Sequence, residues 1–173
     1  MLPHNVFVFD IETVPDVEGG RRLLDLHDLS DADAGRAMLA LRRQQTGGEF
    51  LKLHLHRIVT IPIAARLGGR FRVWSLAEPE CSEPEIISRF FEGIERFTPT
   101  LVTWNDCAFD LPVLHYRALI HGVTAARYWE NGSNDQSFRW NNYLGRYHER
   151  HTDLMDVLSA YQGRAAAPLP LRA

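Results

Sequence analysis

The chain has 173 residues, 45% of them apolar and 24% charged, ordinary globular usage that suffices for one domain with a sizeable core. Its net charge of −3 excludes a protein that is basic all over, so any nucleic-acid contact has to be local. Cys81 and Cys107 are its only cysteines and lack a C-x-x-C spacing, no stretch has the length or character of a membrane span or secretion signal, and the expectation is a soluble cytoplasmic chain without membrane association or a thiolate zinc site.

The first strand-like stretch reads NVFVFDIETVPD, residues 5–16. Alternation puts Val6, Val8, Asp10 and Glu12 on one side and Phe7, Phe9 and Ile11 on the other. The two carboxylates then stand about 6–7 Å apart along the strand, which is costly unless a cation or hydrogen bonds compensate them. Taken alone, the D-x-E triplet reads better as a strand fraying into a solvated acidic loop.

A helical but polar insertion follows, over about residues 17–50, anchored by Leu23, Leu24, Met38, Leu39 and Leu41 and closed by Gly47-Gly48. HRIVTIPIAARL is β-branched and strand-like, and Gly68-Gly69 joins it to RFRVWSL as a hairpin. Pro62 fits an edge or a bulge better than a central position. PEIISRFFEGIERF is a core-facing helix, and TLVTWN (residues 100–105) is a short strand. DLPVLHYRALIHG has a helix start at Asp110 and Pro112 and a stop at Gly122.

Residues 123–150 form an irregular aromatic loop. HTDLMDVLSAY resumes as a strand or helix, and GRAAAPLPLRA shows no further periodic element. Leading strands followed by alternating helices and strands predict an α/β fold spanning residues 1–173 as a single domain, with helices packed on a mixed sheet.

On its own, Asp110 is a better helix N-cap than a catalyst. Its context, WNDCAFDLPVL, has the form N-x-x-x-F-D and follows FDIET by about a hundred residues. Together these motifs resemble the DEDD superfamily of 3′–5′ exonucleases, in the branch related to the proofreading domain of family B DNA polymerases. The resemblance runs from about residue 5 to about residue 165. One departure is Asp106, where the second motif often carries Gly after Asn.

The resemblance implies a ribonuclease-H-like fold, three antiparallel strands then parallel ones, and hydrolysis from a nucleic-acid 3′ end with two Mg²⁺ or Mn²⁺ ions. Such hard cations take carboxylate oxygens and water. It further implies that Asp10 bridges both metals, Glu12 binds one and Asp110 holds the other. The resemblance also implies that Thr13 and Val14 lie beside the 3′-terminal nucleotide, with Asn105 and Phe109 nearby. By analogy with the polymerase branch, the expected substrate is the 3′ end of single-stranded DNA.

The family's third motif is Tyr-x-x-x-Asp or His-x-x-x-x-Asp. HERHTDLMD contains two matches to the second form, His148 to Asp153 and His151 to Asp156. The resemblance argues against both: in this branch the H-x-D-L-M-D stretch precedes the third motif by tens of residues, and the third-motif Asp follows Tyr-Cys on a final helix. That leaves Asp153 supporting the site from a strand end, a chain without the C-terminal helix, and little activity from these residues alone. The rival expectation is a catalytically impaired nucleic-acid-binding module. Tyr128, Trp129, Phe138, Trp140, Tyr143 and Tyr147 alternate with Arg127, Arg139, Arg146 and Arg150, and suit equally a single-strand platform and a loop packed on its own aromatics.

Overall fold

In the computed structural model, which describes residues 4–77, 80–105 and 108–161, the first apolar run is split in two. β1 (Asn5–Phe9) ends before Asp10 and Ile11, and β2 (Glu12–Pro15) begins after them. The strand expected across HRIVTIPIAARL breaks in the same way at Ile61, into β3 (His56–Thr60) and β4 (Pro62–Leu67). The breaks correspond, because β1 pairs antiparallel with β4 while β2 pairs antiparallel with β3 in a separate two-stranded sheet. Pro62 contributes to this division. It has no N–H to donate and stands as the first residue of β4, where a strand tolerates proline. β4 itself lies inside the larger sheet, so the edge placement expected for Pro62 is corrected.

β5 (Arg70–Ser75) completes a hairpin with β4. Gly68 and Gly69 turn it with φ of +53° and +83°, the left-handed pair that a two-residue hairpin loop requires. α3 (Glu83–Phe97) leads to β6 (Thr100–Thr103), and α4 (Asp110–His121) leads through the long loop to β7 (His151–Asp153). β6 lies parallel to β1, and β7 parallel to β6. The sheet order β5-β4-β1-β6-β7, antiparallel on one side and parallel on the other with flanking helices, is the mixed α/β architecture of a ribonuclease-H-like fold.

One sheet face supplies Phe7, Phe9, Ile63 and Leu101 to the core, against Ile87, Phe90 and Ile94 of α3 and Val113 and Leu114 of α4. Each such side chain contributes about 1.5–3 kcal/mol by leaving water. On the other face Val102, Val8, Ala64 and Val73 stand in one cross-strand row, and Val8 and Val73 are exposed among the described residues. The helical insertion is α1 (Val17–Leu24), capped by Asp16, and α2 (Asp31–Thr46), capped by Ser30. It encloses a small second core of Met38, Leu51 and Leu55. No helix among the described residues is long and apolar enough to cross a membrane.

The aromatic loop buries some of its rings and leaves others exposed. Tyr128, Phe138 and Tyr143 are buried in the main core, with the Arg150 guanidinium 3.8 Å from the Phe138 ring centre. Trp129, Trp140 and Tyr147 remain exposed. After β7, α5 (Leu154–Leu158) follows directly, so HTDLMDVLSAY is strand and helix in turn. The expectation of a missing C-terminal helix concerns residues 162–173, and the Asp106 departure concerns residue 106; both lie outside the described residues.

Glu130 organises the loop. Its Oε1 accepts backbone N–H bonds from Asn131, Gly132 and Asn134, and its Oε2 accepts from the Asn134 side chain. The bond from the Asn134 backbone is foremost in holding its carboxyl down at about 2, against an ordinary value of 4.5. A depressed carboxylate stabilises the fold fully above its unfolded value, and that contribution fades as pH falls toward the folded one. We expect the loop to loosen between about pH 4.5 and about pH 2, as read by tryptophan fluorescence. In Glu130→Gln that acid transition should be absent, with the loop already loosened at neutral pH. A transition unchanged by the substitution would assign it to other groups.

Candidate active site

The exit from β1 places a backbone N–H between two acidic residues distant in sequence. Ile11 N–H donates to Asp10 Oδ1 at 2.9 Å and to Asp110 Oδ1 at 3.1 Å. The first and second sequence motifs, 99 residues apart between Ile11 and Asp110, thus meet around a single donor. Asp110 is the first residue of α4 and is 4% exposed, whereas Asp10 faces solvent. The helix N-terminus favours a negative charge there. Phe109, not Asp110, occupies the N-cap position, which corrects the simple capping alternative for Asp110.

Glu12 opens β2 opposite Thr60 and is exposed. Among the described residues no three His, Cys, Asp or Glu side chains are grouped so that they could hold an ion, so Glu12 does not complete a trio with Asp10 and Asp110.

The remaining residues surround this pair unevenly. The register of β2 against β3 shifts between Glu12 and Thr13, an irregularity of the kind that re-aims side chains. The Thr13 hydroxyl lies 3.0 Å from His56 Nδ1, and Val14 is on the margin of exposure. Phe109 packs against His56 and Phe50, at ring separations of 5.0 and 5.4 Å. Asn105 has φ +61°, in the left-handed region that Asn tolerates better than most residues. Its N–H donates to Asp153 Oδ1 at 2.9 Å, and the same oxygen accepts from Met155 N–H at the start of α5.

Asp153 therefore reaches the second motif through Asn105. The other three third-motif candidates have neighbours elsewhere. Asp156 is paired in a bidentate fashion with Arg146, at 2.8 and 2.7 Å. His148 Nδ1 is 3.1 Å from Asn142 Oδ1, and His151 Nε2 is 3.1 Å from the Thr103 hydroxyl in the sheet interior. His54 and His56 belong to different elements. His54 sits in a 3-10 turn (Leu53–Leu55) with its ring edge-on to Tyr116, while His56 opens β3.

Over residues 48–173 the sequence matches the family model described as a predicted 3′–5′ exonuclease related to the exonuclease domain of PolB. The chain belongs to that family. The match takes in Asn105, Phe109, Asp110 and Asp153 but begins after Asp10 and Glu12. Asp10 meets the matched region at the Ile11 N–H it shares with Asp110, and Glu12 meets it by pairing with Thr60.

In this exonuclease-family chain, a buried ionic network that sequence reasoning missed holds the motif-bearing elements together. The Arg117 guanidinium of α4 donates to Glu83 through Nε at 2.8 Å and Nη2 at 2.5 Å, and to Asp16 through Nη1 at 2.6 Å. Glu83 also accepts from Ile58 N–H of β3 at 2.7 Å and lies 2.8 Å from His121 Nε2. Burial opposes the charge on Arg117, but its bonds to Glu83 and Asp16 outweigh burial and raise its pKa above the ordinary guanidinium value. The network ties the start of α1 and the β2–β3 ribbon to α3 and α4. A signal was available in the sequence: Arg117 interrupts the apolar stripe formed by Val113, Leu114 and Ala118.

Proposed function

We propose that this chain removes nucleotides from the 3′ end of single-stranded DNA with the help of Mg²⁺ or Mn²⁺. The observation that carries the reading is the convergence of Asp10 and Asp110 on one N–H. Two carboxylates brought together from distant parts of the chain are an all-oxygen donor pair, which suits a hard divalent cation. Such ions, when bound, supply charge stabilisation and an activated water for phosphodiester hydrolysis. The chain's own contribution is orientation. Asp110 is held by the Ile11 N–H at the start of a helix, Asp153 holds the Asn105 backbone, and Thr13 and Phe109 both touch His56, where they would flank the terminal nucleotide. The preference for DNA rests on the family's stated relation to PolB.

The test uses 5′-labelled DNA and RNA strands of the same sequence, with each metal and with chelator. The expected result is stepwise shortening from the 3′ end, faster on DNA, absent with chelator and in Asp110→Asn. A second reading, a nucleic-acid-binding module without turnover, draws support from Glu12 standing apart from the pair and from Asp156 being committed to Arg146. Oligonucleotide binding with no shortening under either metal would select it.

A further inference from the structure

The helical insertion lies outside the part of the chain that matches the exonuclease family, since α1 and α2 both end before residue 48. Between these helices and the 3-10 turn opens a cavity of about 240 Å³, walled by Leu23, Leu24, Met38, Leu41, Leu51 and Leu55. A second cavity, of about 450 Å³, lies between α1 and the C-terminal end of α4, with Leu23, Leu55 and Ile120 in its wall. The two share Leu23, His54 and Leu55, so they are neighbouring sections of one trough. Leu23 and Ile120 are 61% and 55% exposed, which leaves apolar surface of the trough in water.

Charge is unevenly distributed around it. The carboxylates that line the trough are already committed, Asp16 and Glu83 to Arg117 and Glu18 to Arg22. Arg42, Lys52 and Arg57 line it as well, and among the described residues none of the three forms an ion pair. Arg42 donates through Nε only to the neutral Phe50 carbonyl, at 2.8 Å. A chain of net charge −3 thus sets three cations without carboxylate partners around an aliphatic floor. Ile120 is about 15 Å along the α4 axis from Asp110, so an occupant of the trough leaves the candidate active site open.

We propose that this trough docks a peptide segment of a partner protein, in which two or more apolar side chains stand among Asp or Glu residues. The apolar side chains fill the two cavities, and the carboxylates meet Arg42, Lys52 and Arg57. A nucleic-acid strand also brings negative charge. However, no Phe, Tyr or Trp ring among the described residues lines either cavity to stack a base, and aliphatic walls suit Leu, Ile or Phe side chains. The trough uses no residue of the candidate active site. Docking there recruits the chain to a partner and takes no part in a reaction.

The test selects binders to the full chain from a random peptide library displayed on phage, and the best of them is synthesised with a fluorescent label. The expected result is enrichment of peptides in which Asp or Glu is interspersed with Leu, Ile or Phe. Binding of the labelled peptide, followed by anisotropy, should weaken about 10-fold or more in Leu23→Asp, which removes an apolar contact and adds a repelling carboxylate. Lys52→Glu combined with Arg57→Glu should weaken it similarly and flatten its dependence on salt. Leu23→Met should bind like the parent. All three positions are exposed, and a melting curve confirms that each variant is folded. Selection that enriches no acidic apolar peptide overturns the inference, as does a selected peptide whose affinity is unchanged in the folded Leu23→Asp and charge-reversed chains. Displacement of the labelled peptide by unlabelled single-stranded DNA assigns the trough to a nucleic-acid strand and overturns it too. A parent chain that sediments as a dimer, and as a monomer in Leu23→Asp, assigns the trough to a second copy, with the same consequence.

Discussion

If the proposed activity holds, Asp10→Ala should lower turnover of labelled single-stranded DNA by about three orders of magnitude or more while leaving the metal-free fold intact. Asp10 supplies one of the two carboxylate oxygens that converge on Ile11 N–H. Metal positioning in sites of this type is worth several kcal/mol of transition-state stabilisation, and about 4 kcal/mol corresponds to a thousandfold in rate. Stability should respond in the opposite sense. Removing one of two neighbouring carboxylates relieves their repulsion, and Ile11 N–H keeps Asp110 as its acceptor. The metal-free melting temperature should therefore hold or rise slightly, and added Mn²⁺ should raise that of the parent more than that of the variant. A large fall in the metal-free melting temperature would assign Asp10 a structural role and sink this account.

The second large effect is on stability and lies in the ionic network. Arg117→Met leaves Glu83 and Asp16 as buried carboxylates without their cation, and breaking a buried pair from one side costs about 3–5 kcal/mol. For a domain of this size that is a fall in melting temperature on the order of 10 °C. Arg117→Lys should recover only part of it, because a single ammonium cannot replace a fork that reaches Glu83 twice and Asp16 once. Adding Glu83→Gln to Arg117→Met should be less damaging than the separate effects combined, since it removes one stranded charge. A loss under 1 kcal/mol in Arg117→Met would show that water or neighbouring groups already satisfy these carboxylates.

The elements readable in advance were those with a local cause. Apolar spacing in PEIISRFFEGIERF and the Asp-Leu-Pro start with Gly122 as a stop marked α3 and α4, and Gly68-Gly69 marked the hairpin, because helix period, caps and left-handed turns depend on residues close in sequence. The strand breaks at Asp10–Ile11 and Ile61 were not readable. Each is defined by the other through pairing across about fifty residues, so neither has a sufficient signal of its own. The Arg117 network was missed for a related reason. Its members come from α1's cap, α3 and α4, and a buried charge is identified by its partners rather than by its own position.

The candidate site divides along the same line. By itself the sequence determined the acidic residues and their order, FDIET before WNDCAFDLPVL, because strand alternation and helix-start patterns set them at the ends of strands and helices. Only the tertiary structure decided that Asp10 and Asp110 share the N–H of Ile11, and that His56 and Phe50 stand with Phe109 beside them. It also decided that Glu12 is exposed and makes no trio with the pair among the described residues, and that Asp156 is bound to Arg146. The physical reason is reach. A motif names the groups available within a few residues, whereas hydrogen bonds and ring contacts form between whichever groups the sheet order and helix packing bring within a few ångströms.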